Sequence, residues 1–269
     1  MSRRGDRWKD DPHVLYQATI MKLSIITAVR NAENAIAATL RSVREQRGVS
    51  IEHIVIDGAS TDRTLDVVRT EGQHVAVVRS ERDLGIYDAF NKGLALSTGD
   101  IIAFLNAGDS YASTGVALAV QERFSGSSVD AVLGDTLIVS ADERRQVLRS
   151  ISSRRFAPWQ MAYGFMPAHP SMFLRREVYD RVGVFDIDYR QAGDYEFCLR
   201  AFCEHKIQFA HVPEVVVHMP TGGVTNSGWK SVMVNTREMR RACKANGVST
   251  NLVKLMLRLP IKSLGMAFK

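Results

Sequence analysis

Two carboxylates stand where strands should end, the places at which an alternating strand and helix chain presents its ligands. In IEHIVIDGASTDRT the apolar run Ile54, Val55 and Ile56 delivers Asp57 just before a turn of glycine, hydroxyl and carboxylate residues. A carboxylate there can accept from the imide N–H of a uracil ring. Asp109 follows IIAFLN, with Asn106 and the turn residue Gly108 between them. Magnesium and manganese take oxygen ligands, commonly one or two carboxylates plus phosphates and waters, and Asp109 suits an ion held against a diphosphate. A third apolar stretch, LSIITAV, carries Thr27 and leads into Arg30 and Asn31, where backbone amides and a guanidinium can line a base and ribose or meet a diphosphate.

What must position these groups is an open α/β sheet, whose ligands bind beyond the carboxyl ends of its strands. From Met21 the apolar pattern predicts strands at 23–29, 51–57, 74–79 and 101–105 and helices at 32–46, 61–70 and 86–96. Alternation of this kind predicts a parallel sheet with right-handed crossovers. Asn31, Ser60 and Asp83 are the expected helix starts, because their side chains can accept from the free amides of a first turn. Beyond residue 110 the pattern loosens into a helix at 114–124, a strand at 129–139 and an exposed loop or hairpin over 141–155. APWQMAYGFMPAHPSMFLRR then concentrates aromatics, methionines, prolines and His169, which suits a pocket wall better than a helix or a strand. A helix ending near Gly183 follows.

With 269 residues, 45% of them hydrophobic and 24% charged, the chain can form one large globular domain. Its three cysteines, Cys198, Cys203 and Cys243, have neither disulfide-framework nor zinc-ligand spacing, so they are expected as buried or free thiols in a reducing cytoplasm. No window approaches the roughly 20 apolar residues of a bilayer-spanning helix, so neither secretion nor membrane spanning is expected. The formal charge of +6 is uneven: residues 226–269 hold nine Lys or Arg against one acid, Glu238, a net +8 that leaves residues 1–225 at −2. The body is therefore no nucleic-acid binder, and the basic character belongs to an appendage.

In their order and spacing, SIITAVRNAENAIAATLRSV, VIDGASTDRT, DLGIYDAFNKGLALSTGDIIAFLNAGD, HPSMFLRREVYDRVGVFD and AGDYEFCLR resemble the family 2 glycosyltransferases of the GT-A fold over residues 22–202. The resemblance implies a Rossmann-like, mostly parallel central sheet flanked by helices. It implies an inverting enzyme that moves a sugar from a nucleotide-diphosphate donor, a UDP-sugar in preference, to a glycan or lipid-linked acceptor in cell-surface polysaccharide assembly. On the same ground Thr27, Arg30, Asn31, Asp57, Asp83, Asp88 and Asn106 are expected around the nucleotide-sugar, with Asp57 reading the base. Asp109 is expected to hold Mn2+ or Mg2+. His169 is expected to help hold that metal or to donate to the diphosphate. Asp194 matches the family's base, which takes the proton from the acceptor hydroxyl, and Glu196 or Arg200 orients the site while Leu199 faces the core. The family's usual pair of carboxylates is here Asn106, Ala107, Gly108, Asp109, which leaves one carboxylate at the metal corner. Asp88 either touches sugar or ribose hydroxyls or, with Asn91 and Lys92, organises its helix. Trp159, Tyr163 and Phe165 are either a stacking surface for an acceptor sugar or core.

The expected organisation is an N-terminal extension (1–20), a catalytic domain (21–225) and a basic helical tail (226–269). In NLVKLMLRLPIKSLGMAFK, Lys254, Arg258 and Lys262 recur every fourth residue on one helical face, and Pro260 should kink the helix. Residues 252–269 then either lie on an anionic membrane surface at the inner face of the cell membrane or pack on the catalytic domain. A rival enzyme class, the sugar nucleotidyltransferases, requires a glycine-rich basic phosphate loop after the first strand, which TAVRNAEN lacks. The rival outside enzymes is a non-catalytic nucleotide- or glycan-binding partner of a membrane assembly, against which Asp109 and Asp194 both stand. No G-x-G-x-x-G opens the first helix, which argues against an oxidoreductase.

Overall fold

β1 (Lys22–Val29) and β2 (Ser50–Asp57) are buried over nearly their whole length, as their unbroken apolar runs dictate for strands covered on both faces. The structure, a computed structural model, describes residues 21–142, 146–221 and 228–259. β3 (Val75–Ser80) and β4 (Ile101–Phe104) complete a parallel half-sheet in the order β3-β2-β1-β4. Its crossovers carry α1 (Ile36–Arg44), α2 (Thr64–Glu71) and α3 (Ile86–Leu96). Pairing of Val29 with Asp57, Asp57 with Ser80 and Ile26 with Phe104 brings the carboxyl ends of all four strands to one edge. That edge carries Arg30, Gly58, Glu81 and Asn106.

The second half of the sheet is mixed. After β5 (Ser110–Tyr111) and α4 (Val116–Phe124), β6 (Ala131–Val139) forms a hairpin with β7 (Val147–Ile151), and β8 (Met172–Arg175) inserts antiparallel between β4 and β6. β9 (Phe209–Pro220) runs parallel to β6 and antiparallel to β5. The segment expected as irregular pocket wall thus contains a strand, because Met172, Phe173 and Leu174 are buried on both faces of the sheet. The preceding residues do form short 3-10 turns, Pro158–Tyr163 and His169–Ser171. α5 (Arg176–Val182) ends at Gly183, and α6 (Gly193–Cys198) runs on into a π-helical turn, Leu199–Glu204.

α1 and α2 begin later than expected, at Ile36 and Thr64, while α3 spans the expected 86–96; the residues before them, Ala35, Arg63 and Gly85, do not cap through a side chain. Asn31, Ser60 and Asp83 serve the loops instead. Asn31 N donates to Ser60 Oγ at 2.8 Å, Asn31 Oδ1 accepts from Thr61 N at 2.8 Å, and Asp83 Oδ1 accepts from Gly85 N at 3.1 Å.

α7 (Gly228–Ala245) and α8 (Leu252–Met256) are built into the main core: Met239, Ala242, Cys243 and Leu255 cluster with Tyr195, Phe197 and Phe202. Arg258 does not share a solvated face with Lys254. Its side chain is 3% exposed and donates to Leu255 O at 2.6 Å, Thr236 Oγ1 at 2.8 Å and Asn235 Oδ1 at 3.2 Å. Spacing along one helix could not reveal that α7 offers this buried cation two acceptors, Asn235 and Thr236. Lys262 and the rest of 260–269, like residues 1–20, lie outside the described residues. Among the described residues no helix is long and apolar enough to cross a membrane.

Candidate functional site

At the shared strand edge, two loops are braced against each other. Besides the Asn31 contacts, Ala32 N donates to Thr64 Oγ1 at 2.8 Å, Glu33 N to Asp62 Oδ2 at 3.1 Å, and Arg63 N to Glu33 Oε2 at 2.9 Å. Asp57 is fully buried: its Oδ2 accepts from Ser60 N at 3.0 Å and Ser80 Oγ at 2.6 Å, and its Oδ1 accepts from Ser60 Oγ. The expected base-reading carboxylate is therefore engaged within the protein, where it fixes the turn after β2. Gly58 lies under the Asp83 carboxylate and the Arg30 side chain; a Cβ there would stand 2.3 Å from Asp83 Oδ2 and 3.4 Å from Arg30 Cδ. A side chain at this position would have to push the Asp83 carboxylate aside.

Asp88 falls on the organising side of its two expectations. Its Oδ2 accepts from Leu84 N at 3.0 Å and pairs with Lys92 Nζ at 3.0 Å, and Lys92 also reaches Glu81 and Arg82 O. The loop 81–85 that carries Asp83 is thereby tied to α3.

Thr27 departs from the expectation that it lines a ligand. Its side chain is wholly buried, donating to Leu105 O at 2.7 Å and lying 2.9 Å from His53 Nε2. His53 in turn meets His74 Nε2 at 3.0 Å through Nδ1, and burial, then His74, lowers the His53 pKa to about 3. With the Thr27 hydroxyl committed to Leu105 O, neutral His53 donates from Nε2. Thr27 supports the site from beneath, one residue away from Asn106.

Asn106 and Asp109 are held in a turn by Thr39 of α1. Thr39 Oγ1 accepts from Gly108 N at 3.0 Å, donates to Asp109 O at 2.6 Å and lies 3.2 Å from Asn106 O. Asn106 Oδ1 is buried without a hydrogen-bond partner, and the Asp109 side chain, 7% exposed, is pushed up to about 7 by burial. An acceptor oxygen lacking a donor and a buried carboxylate without a cation beside it form a donor set that a hard divalent ion fits. Among the described residues no group of three His, Cys, Asp or Glu side chains gathers around a common point. A metal here therefore needs oxygens from the substrate.

Asp194 starts α6 and is oriented by two donors to the same oxygen: Tyr87 OH at 3.1 Å and Tyr195 N at 2.8 Å reach Oδ1. Gly193 permits this, since a Cβ there would meet the Tyr87 ring at 2.8 Å. His169 lies within the field of the Asp194 carboxylate. Its ring stacks on Phe90 and Phe104 with Phe185 at its edge. Burial lowers its pKa, while the Asp194 charge pulls it upward. Glu196 and Arg200 pair with each other at 2.8 Å, and Arg200 also ties down Val182 O and Val184 O. Leu199 is in the core. Trp159 is 66% exposed and meets Tyr163 edge-on, so this pair is surface and not core.

Three positioning residues escaped the sequence reading: Thr39, Tyr87 and Glu238, whose carboxylate accepts from the amides of Arg190, Gln191 and Ala192 just before Asp194. Tyr87 alone left a trace, standing between Asp83 and Asp88 within a motif already singled out.

A curled, mixed sheet with helices on its faces and carboxylates along one strand edge defines the GT-A class of nucleotide-sugar enzymes. The Glycosyl transferase family 2 model matches residues 24–183, and the chain belongs to that family. A "PGL/p-HBAD biosynthesis glycosyltransferase" of Mycobacterium bovis is 27% identical over 241 residues, 87% of this chain and 89% of that protein. An uncharacterized glycosyltransferase of Mycobacterium tuberculosis is 33% identical over 183 residues, 66% and 68% of the two chains. In fold the chain resembles S. aureus TarS 1-349 in complex with UDP-GlcNAc, with a TM-score of 0.63 and 19% identity over 82% of this chain and 66% of that one. It also resembles the mannosyltransferase PcManGT from Pyrobaculum calidifontis in complex with GDP-Man and Mn2+, with a TM-score of 0.57 and 18% identity over 91% and 80%. The protein is a glycosyltransferase.

Proposed function

We propose that this glycosyltransferase takes a UDP-sugar and transfers the sugar with inversion to a hydroxyl of a glycan or lipid-linked acceptor in cell-surface polysaccharide assembly, at the cytoplasmic face of the membrane. The observation that carries the reading is Asp194, a carboxylate whose Oδ1 is held by Tyr87 and Tyr195 N. That leaves Oδ2 to accept the acceptor's proton. As the acceptor oxygen bonds to the anomeric carbon, the bond to the diphosphate oxygen breaks and its electron pair leaves with the diphosphate. No covalent bond to the enzyme forms. Arg30 and Asp83 flank the donor at Gly58. Entry of a uracil exchanges the Ser60 hydroxyl on Asp57 Oδ1 for the imide N–H. Asp109, with Asn106 Oδ1, would hold Mn2+ or Mg2+, which neutralises charge on the departing diphosphate when bound. The three cysteines are free thiols, in keeping with a reducing compartment.

The test is thermal unfolding with UDP, GDP, CMP and dTDP, each with and without manganese, followed by UDP release from UDP-sugars. Selective stabilisation by UDP with manganese is the expected result. Asp194→Asn should keep that stabilisation and lose transfer. A response to GDP or CMP alone would overturn the donor, and full turnover in Asp194→Asn would overturn the base.

A further inference from the structure

The eighteen-residue helix α7 has two opposed faces. Thr236, Met239, Ala242 and Cys243 are buried on one side. Lys230, Arg237 and Lys244 follow one another at seven-residue spacing on the opposite side, with Arg240 and Arg241 beside them, and all five are exposed. At 1.5 Å per residue the stripe from Lys230 to Lys244 is about 21 Å long.

The helix's single acid, Glu238, is turned away onto the backbone amides of Arg190, Gln191 and Ala192. Arg241 is partly committed, lying 3.8 Å over the Tyr189 ring and donating to Asp188 O. Among the described residues, Lys230, Arg237, Arg240 and Lys244 form no ion pair with a carboxylate. Four neighbouring like charges in one row are left for water or for an anionic partner.

We infer that this outward face of α7 is a docking surface for an anionic lipid bilayer. A bilayer explains more of the face than a nucleic acid does, because apolar groups lie in and beside the cationic row. Val234 is 38% exposed within it and Trp229 is 66% exposed at its start. Aromatic and aliphatic side chains between lysines and arginines are what the boundary of headgroups and acyl chains accommodates. A flat row of charge suits a planar anionic surface, each cation near it strengthening binding about fivefold. The surface differs from the 252–269 face expected from the sequence, which the burial of Arg258 breaks. It rests on no assignment at the catalytic edge.

The experiment is co-sedimentation of the full chain with phosphatidylcholine vesicles made with and without phosphatidylglycerol, over a salt series. The wild type should sediment with the phosphatidylglycerol vesicles alone and be released as salt rises. The triple variant Lys230→Glu/Arg237→Glu/Lys244→Glu should lose at least about 100-fold in partition, and its Gln counterpart less. Both should keep the wild-type melting temperature and stabilisation by UDP. No preference of the wild type for phosphatidylglycerol would overturn the proposal. So would wild-type partition in the triple variant, or duplex DNA bound as tightly as the vesicles at the same salt.

Discussion

The Glu238 carboxylate of α7 accepts from Ala192 N at 3.0 Å, two residues before Asp194, and also from the amides of Gln191 at 2.8 Å and Arg190 at 3.1 Å. The helix that the sequence marks as a basic appendage thus fixes the approach to the proposed base. Glu238→Ala should cost about 2 kcal/mol of stability, since three amides lose a charged acceptor. It should also lower kcat by up to about 100-fold through misplacement of Asp194, with little change in donor KM. Steady-state kinetics beside urea unfolding checks this, and an unchanged kcat in a destabilised protein would refute the coupling.

Tyr87→Phe removes one of the two donors to Asp194 Oδ1 and keeps the ring that packs on Gly193. Loss of that hydrogen bond frees the carboxylate to turn away from the acceptor hydroxyl, so kcat should fall by about 10-fold with donor binding unaltered. Wild-type kcat in Tyr87→Phe would show that the phenol does not orient the base.

Asp109 carries a stability cost that pH reveals. Burial raises its pKa from 3.8 to about 7, so stability is fully present below the unfolded value and is lost as pH rises through the folded one. Asp109→Asn should therefore match the wild type near about pH 4 and exceed it by up to about 4 kcal/mol near about pH 8. UDP with manganese should stabilise the wild type and not the variant. Denaturant unfolding at the two pH values, with and without ligand, measures both effects.

At the opposite ends of β1 and β2, Glu52 shows the reverse sign. Burial pushes its carboxyl up, but Lys22, Ser24 and Thr98, which donate to it at 2.6 to 2.7 Å, outweigh that and hold it at about 2 against 4.5. The stability it contributes is present above 4.5 and lost as pH falls toward 2. Glu52→Gln should cost about 3 kcal/mol at neutral pH, and the gap should narrow steadily through the acidic range. A gap independent of pH would show that the charge is not what matters.

By itself the sequence determined the parallel half-sheet and the places of its polar ends. Runs such as Ile54 to Ile56 are buried on both faces, and the turn that follows puts Asp57 at an edge whatever else the chain does. The same logic marked Asp109, because an apolar stretch followed by a turn glycine and a carboxylate is a local instruction, whereas Asp194, preceded by the polar run Asp188 to Gln191, was marked only by the resemblance of AGDYEFCLR to the family. Local pattern says which residues want burial and not what will cover them. Thr27 read as a ligand contact because nothing in LSIITAV announces that Leu105 O and His53 lie within reach of its hydroxyl. Arg258 read as a surface cation because its period-four spacing says nothing of Thr236, 22 residues earlier. Tyr87 and Asp194 are 107 residues apart, and Ala192 and Glu238 are 46 apart. Such pairings exist only once helices have packed on the sheet, when each buried polar group must take its partner from whichever element the core brings beside it. The tertiary structure alone decided which carboxylates are held by neighbours, which is left with a cost, and which face of α7 remains open.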